Sequence, residues 1–590
     1  MVSQEWTVDS ELIVSIVEEF KEDEPMNQSG ILNGIEEEIK PFLYKYIQAR
    51  SLTYTPAERD AERFLMEELG ADPYFQAHPE YFGTCEIEGD PFQRRVSYAM
   101  VRGQGNDAVV FVHHNDVVDV EDYKLLKEYA FSPDELEKEL AGIRESLPED
   151  AGRDLESGEW LFGRGGCDMK GGGAIQFSLL RRYAQLPDFR GNVIVIAVPD
   201  EENLSAGMRR AVQLLAELKD RYGFDYKIMF NSEPHQRKNP DVGIISEGSV
   251  GKLLPFVYVR GYLSHIGKVY EGLNPVSLLS EIVRRTELNV DFSDVVGNEC
   301  APPPTWLYMK DSKKHYDVSM PLSASGCFSV LTLDQSPQSL LNKVKSVCEE
   351  AFECVVADMN DSYRRFCETA EPVASELPWK SRVEDFDTLL REAASAYGDR
   401  FREAYERKRK DALARVASGE TDLIECNFEI VDFVFEYIDD FSPRVIYGLI
   451  PPYYPNVSNV FFEGLEPSVA GLYERLDQFA AENFRQHYER EYFYTGICDL
   501  SFTSIRGGAD IRKALERSMP LLGEYFDLPV EAIEKISMPC MNIGPWGKDF
   551  HKMTERVYKE DLYERTPMLL NRAVELILNG GQPLKGVLNG

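Results

Sequence analysis

The feature that most limits how this chain can fold is the order of its apolar runs. DAVVFVHH, GNVIVIAVPDEE and YKIMFNSEP are each long enough for one buried strand and each ends in a polar loop. Between them lie GGGAIQFSLLRRYAQL and SAGMRRAVQLLAELKDRYG, with apolar residues recurring at helical spacing. Strand, loop and helix in alternation give an α/β fold with a mostly parallel sheet, whose loops gather at the strand C-terminal ends.

From about Gly248 the pattern changes. GKLLPFVYVRG, PVSLLSEIVRRTE, PPTWLYMK, CFSVLTLDQ and SPQSLLNKVKSVCEEAFECVV read as strand, helix, strand, strand, helix. That order is a split βαβ layer, with a sheet on one side and helices on the other. A long charged helical stretch, FDTLLREAASAYGDRFREAYERKRKDALARV, follows before RVIYGLIPPYYPNVSNVFF returns to strand-like runs. The expected division is a first domain built from 1–248 and 441–590, interrupted by an α+β insertion at 249–440 that ends in a helical extension.

Composition narrows the class. With 64 basic and 101 acidic residues the net charge is −37, which repels nucleic acid and anionic lipid, so neither is an expected partner. No apolar stretch approaches the ~20 residues needed to span a bilayer. The N-terminal MVSQEWTVDSELIVSIVEEF lacks a charged, apolar, small-residue cleavage pattern, and the ten cysteines include no CxxC pair; both favour a cytoplasmic protein with reduced thiols. The cysteines next to candidate site aspartates, Cys167 and Cys498, read as small buried side chains.

The loops carry the chemistry. His114-Asn115-Asp116, Asp168 in GRGGCDMKGGG, Glu201-Glu202 in VPDEEN, Glu233 in NSEPH and His551 in KDFHKMTE follow one another along the chain. Two imidazoles and three carboxylates suit zinc, cobalt or manganese, and one further carboxylate is left to act as a base. A carboxylate at Asp116 beside a ligating imidazole fixes its tautomer. The glycines around Asp168 let the backbone come close to a metal centre and free the carboxylate to bridge two ions. Adjacent acids diverge at a strand end, so one of Glu201 and Glu202 can ligate while the other reaches the attacking water. Each motif has a plain alternative: adjacent acids after a strand are usually a helix N-terminal charge pair, and His551 alone reads as a surface helix residue with Glu555 as its helical neighbour. No phosphate-binding glycine motif and no HExxH is present.

Taken together the motifs resemble the di-zinc aminoacylase and carboxypeptidase family that includes acetylornithine deacetylase and succinyl-diaminopimelate desuccinylase. YFQAHPE, DLESGEWLFGRG, YFYTGICDLSF and MNIGPWGKDFHKMTERVY look most like its RocB arginine-utilisation branch. The resemblance implies a zinc-exopeptidase-like catalytic domain with a lid domain inserted, and metal ligands His114, Asp168, Glu202, Glu233 and His551 around two divalent ions, with zinc the ordinary choice. It implies Asp168 as the bridge, Glu201 as general base, Asp116 as the residue orienting His114, and Asp499 in GICDLSF as an aspartate close behind the site. VRGYLSHIGKVYEGLNPVSLL looks like the lid motif, which makes His265 a substrate-facing histidine and the lid the contact of a homodimer. The implied reaction is hydrolysis of a C–N amide bond in a small N-acyl amino acid or peptide-like substrate, with an arginine-related one favoured. The alternative is a silent relative that binds an amino-acid-like ligand or a protein partner.

Three departures qualify the resemblance. His113 stands where many relatives have glycine, and Ser501 stands where several carry an arginine. The stretches between Asp116 and Asp168 and from about Glu371 to Asp440 are long.

Overall fold

The computed structural model describes residues 30–370, 376–523 and 526–584. The N-terminal segment read above for a leader, and the start of the expected extension, lie outside them.

Along the chain come β1 (Phe82–Glu86), β2 (Arg95–Arg102), β3 (Gln104–His114), β4 (Arg190–Val198), β5 (Asp225–Asn231) and β6 (Val242–Ser246). A second group follows: β7 (Gly251–Arg260), β8 (Thr305–Asp311), β9 (Ser323–Thr332), β10 (Val383–Asp385) and β11 (Arg444–Tyr454). Then β12 (His487–Glu491) and β13 (Cys540–Asn542) return to the first sheet, whose order is β1-β2-β4-β3-β5-β13-β6-β12. Its centre, β4, β3, β5 and β13, is parallel, while β1 and β2 form an antiparallel edge.

The parallel centre follows from β3, where Ala108 to Val112 are all buried and alternate residues serve opposite faces. Val109 and Phe111 pack with α1 (Glu36–Gln48), α2 (Lys170–Ala184) and the C-terminal helix Thr566–Leu578. Ala108, Val110 and Val112 pack with α3 (Ala206–Tyr222). The sheet is therefore the middle of three layers, and the C-termini of its parallel central strands converge on one edge.

The second sheet has the order β8-β9-β7-β11-β10, with α4 (Pro275–Thr286) and α5 (Pro337–Ala370) on one face. Two expectations are corrected here. The boundary at 440 falls too early, because β11 pairs antiparallel with β7 and belongs to the inserted sheet. Nor is the sheet's other face bare: α6 (Phe386–Ala417) and α7 (Leu423–Phe435) cover it. The reason is legible in β7, where Leu253, Val257 and Val259 face one core and Leu254, Phe256 and Tyr258 face another. A strand apolar at consecutive positions needs a layer on each side.

The charged stretch read as one helix is broken within α6 at Gly398, whose φ of 58° lies outside the helical region. The last turn of α6 reaches back to the first unit, where the Tyr54 hydroxyl donates to the Val416 carbonyl at 3.0 Å. Among the described residues no helix is long and apolar enough to cross a membrane.

Candidate metal centre

The predicted ligands meet at the C-terminal edge of the first sheet. His114 is the last residue of β3, Asp168 lies just before α2, Glu201 and Glu202 follow β4, Glu233 follows β5, and His551 lies on the loop after β13. Asp168 is their centre. Its Oδ1 is 3.0 Å from His114 Nε2 and its Oδ2 is 3.2 Å from His551 Nε2. Glu233 stands 3.4 Å from the same His114 nitrogen, and Glu202 stands 2.9 Å from the same His551 nitrogen. Two sets of one imidazole and one carboxylate thus share one aspartate, an oxygen for each.

This donor set would fit two divalent ions of the zinc type: the candidate ligands offer nitrogen and carboxylate oxygen, with no thiolate among them. The electrostatics agree. Hydrogen bonds to Asp168 and Glu202 push His551 up to about 10. His114 is raised as well, since Glu233 and Asp168 outweigh its burial. Burial would raise Asp168, but the two imidazoles hold it below the usual carboxylate range. The carboxylates thus draw positive charge to the positions that two cations would fill.

Glu201 lies within the same group, near His114 and Glu202. Burial first, then the neighbouring Glu202, Asp499 and Glu233, hold its carboxyl well above the usual range. Asp499 is fully buried, and neither of its side-chain oxygens has a hydrogen-bond partner. Burial pushes it up to about 7.

Asp116 is placed differently from expectation. His114 Nδ1 is 3.0 Å from the Asp116 main-chain carbonyl and 3.7 Å from its carboxylate, so the backbone supplies the hydrogen bond that orients the ring. The carboxylate instead accepts from the amides of Glu201 (3.1 Å) and Glu202 (3.2 Å) and from the Thr53 hydroxyl (2.8 Å). It holds the loop that carries both acids.

His113 is turned into the core, between the Tyr46 hydroxyl at 3.1 Å and the Gln176 side-chain oxygen at 2.8 Å. His265 does not join the cluster in its own chain: it is exposed on the second unit, and its Nδ1 accepts from the Gly267 amide at 3.1 Å. The Ser501 hydroxyl is taken up by Ser249 and the Val250 carbonyl.

The plain alternative for His551, a surface helix residue with Glu555 as its helical neighbour, is not what the structure has. His551 sits in a turn at φ 62°, and Glu555 is fully buried. One Glu555 oxygen accepts from the amides of Cys167 (3.2 Å) and Asp168 (3.3 Å), and the other from the buried Arg164 guanidinium (2.6 Å). The loops that carry Asp168 and His551 are pinned together by that one carboxylate. Its only trace in the sequence is an acid four residues after a candidate ligand.

A cavity of about 570 Å3 opens beside the Glu201–Glu202 loop. Tyr54, Asn203 and Leu204 wall it on the first unit, and Val416, Thr421 and Asp422 wall it on the extension.

Residues 145–571 match the peptidase family M20/M25/M40. The chain is 31% identical to the protein YqjN of Bacillus subtilis over 549 residues, covering 92% of this chain and 96% of that one. It is 26% identical to the protein RocB of the same organism, covering 92% and 95%. Among solved structures, aminopeptidase PepT from Bacillus cereus overlaps 93% of this chain and 100% of its own at 12% identity and a TM-score of 0.49. An overlap that loose informs neither site nor substrate. With the family matched across most of its length and a relative of 31% identity matched nearly end to end, the chain belongs to the peptidase family M20/M25/M40.

Proposed function

We propose that this metal-dependent hydrolase cleaves the C–N amide bond of a small N-acyl amino acid or peptide-like substrate, using two divalent ions, zinc by expectation, held by His114, Asp168, Glu202, Glu233 and His551. The observation that carries the reading is Asp168, with one imidazole on each oxygen and a second carboxylate beside each imidazole. Ions bound there supply Lewis acidity and bring water closer to ionisation at neutral pH.

The chain's own residues do the rest. Glu201 takes the proton of the attacking water and delivers it to the leaving amine; support comes from its burial among carboxylates, which makes it ready to hold a proton. Asp116 fixes the amides of Glu201 and Glu202, so the base and the adjacent ligand keep one geometry. His265 donates to the oxyanion that develops on the scissile carbonyl.

The exposed position of His265 supports its acting in a partner's site across a homodimer. Exposed apolar residues around it, Leu263, Ile266 and Val269, and Leu307 and Met309 on the edge strand β8, support the lid as the contact.

The favoured substrate carries a cationic side chain, as arginine or ornithine derivatives do. Support comes from the −37 charge, the commitment of Ser501 to its neighbours, and the resemblance to an arginine-utilisation branch. Metal-loaded protein is to be assayed on N-acyl amino acids and dipeptides by release of free amine. Arginine or ornithine amides are expected to exceed citrulline or norleucine counterparts by ~1–3 kcal/mol in kcat/KM at low and high salt. Equal rates across those pairs would remove the cationic preference, and no release from any amide would remove the hydrolase reading.

A further inference from the structure

Beside the metal loops lies a second buried charge cluster that the chemistry above does not use. Asp200, immediately before Glu201, adopts a left-handed backbone at φ 69°. Its amide donates to Glu58 Oε2 at 2.8 Å, and its carboxylate accepts from the Ala206 amide at 3.1 Å and the Asn203 side chain at 3.2 Å. The remaining partner is Arg94, whose Nη1 donates to Asp200 Oδ1 at 2.5 Å and to Glu58 Oε1 at 2.8 Å. The other side of the guanidinium is held by Asp90, from Nε at 2.9 Å and Nη2 at 2.7 Å. Asp90 also accepts from the amides of Phe92 and Arg94, so a tight turn ahead of β2 presents the guanidinium. All four side chains are at most 3% exposed.

A planar guanidinium joined to three carboxylates fixes direction as well as charge, which an ammonium cannot do. Glu58 extends the clamp, because its Oε1 also accepts from the Tyr54 amide, next to the Thr53 that bonds Asp116. The loop bearing Glu201 and Glu202 is therefore gripped at its root by Arg94 and along its amides by Asp116. Arg94, Glu58 and Asp90 all precede residue 145, where the family match begins.

We infer that Arg94 is a positioning residue for the reaction, clamping Asp200 with Glu58 so that Glu201 is aimed at the attacking water. The inference rests on the proposed hydrolysis for its kinetic arm only. Misplacing a catalytic group by about an ångström costs on the order of a hundredfold in rate.

The test uses full-length, metal-loaded Arg94→Met, Arg94→Lys and the gentler Glu58→Gln, read by hydrogen exchange and by kinetics. The expected exchange result is faster labelling confined to 200–206, with β3 and β4 at wild-type rates. The expected kinetic result is kcat lowered by about a hundredfold in Arg94→Met, with KM within about threefold, and a smaller loss in Arg94→Lys and Glu58→Gln. Wild-type exchange at 200–206, or wild-type kcat, overturns the inference. So does faster exchange spread through the sheet in all three variants, since that marks a structural role alone. If the local exchange result holds while the wild type cleaves no amide, the clamp stands and the hydrolase reading fails.

Discussion

Asp116→Asn separates the two jobs that its carboxylate could do. The wild-type side chain is fully buried and accepts three hydrogen bonds, from the Glu201 amide, the Glu202 amide and the Thr53 hydroxyl. Asparagine keeps the shape but turns one acceptor into a donor. The Thr53 hydroxyl can rotate to accept from it; a backbone N–H cannot. Whichever way the amide flips, one of the two loop amides loses its partner, at a cost of ~1–3 kcal/mol. Loss of the charge weakens the surviving bond by a further ~1 kcal/mol. The sum, ~2–4 kcal/mol, is about 30-fold to 1,000-fold in whatever depends on the loop. Turnover at saturating metal and metal affinity by chelator competition are the two readouts. Asp116→Ala should be worse than Asp116→Asn, and Thr53→Val should cost less than about tenfold. The reasoning is refuted if Asp116→Asn matches wild type in both readouts, or if Thr53→Val is as damaging as Asp116→Asn.

Three further outcomes follow from the site. Glu201→Gln should retain metal and fold while turnover falls at least ~100-fold, whereas Glu202→Gln should lose metal affinity; equal metal loss in both would undo the division between base and ligand. His265→Ala should leave metal content unchanged and lower kcat, and mixing it with Glu201→Gln should restore part of the activity through hybrid dimers; no recovery despite verified subunit exchange argues for action within one chain. The proton on His551, held up to about 10 by Asp168 and Glu202, must leave when metal binds. Because that folded pKa lies above the unfolded value of ~6.5, the ion pairs stabilise the metal-free protein fully below that value and fade as pH rises through about 10. Metal affinity should therefore climb between pH 6 and 9, and a flat affinity across that range would contradict the assignment.

That the candidate ligands come together was readable because four of the five motifs follow an apolar strand or a glycine turn, where local pattern and chemistry coincide. The two adjacent histidines also part for a local reason: alternation along β3 sends His113 to Tyr46 and Gln176 and leaves His114 at the edge. What escaped the sequence depends on partners far away along the chain. Nothing in RVIYGLIPPYY says that it pairs with β7 rather than returning to the first sheet, and so the boundary at 440 was misplaced. The cover on the second face was implied by β7 being apolar at consecutive positions, but periodicity does not name the segment that provides it. Glu555 and Arg94 are single charged residues whose meaning lies in the amides and carboxylates they meet across folds of the chain. The carboxylate of Asp116 was assigned to the nearest histidine, and the structure spends it on a loop that only the sheet brings beside it.

The most direct measurement is anomalous diffraction at the zinc edge from crystals of the zinc-reconstituted protein. Two peaks are predicted, ~3.5–4 Å apart, on either side of the Asp168 carboxylate, one beside His114 and Glu233 and the other beside His551 and Glu202. A single peak, or two that do not share Asp168, would contradict the binuclear centre and the hydrolytic mechanism built on it.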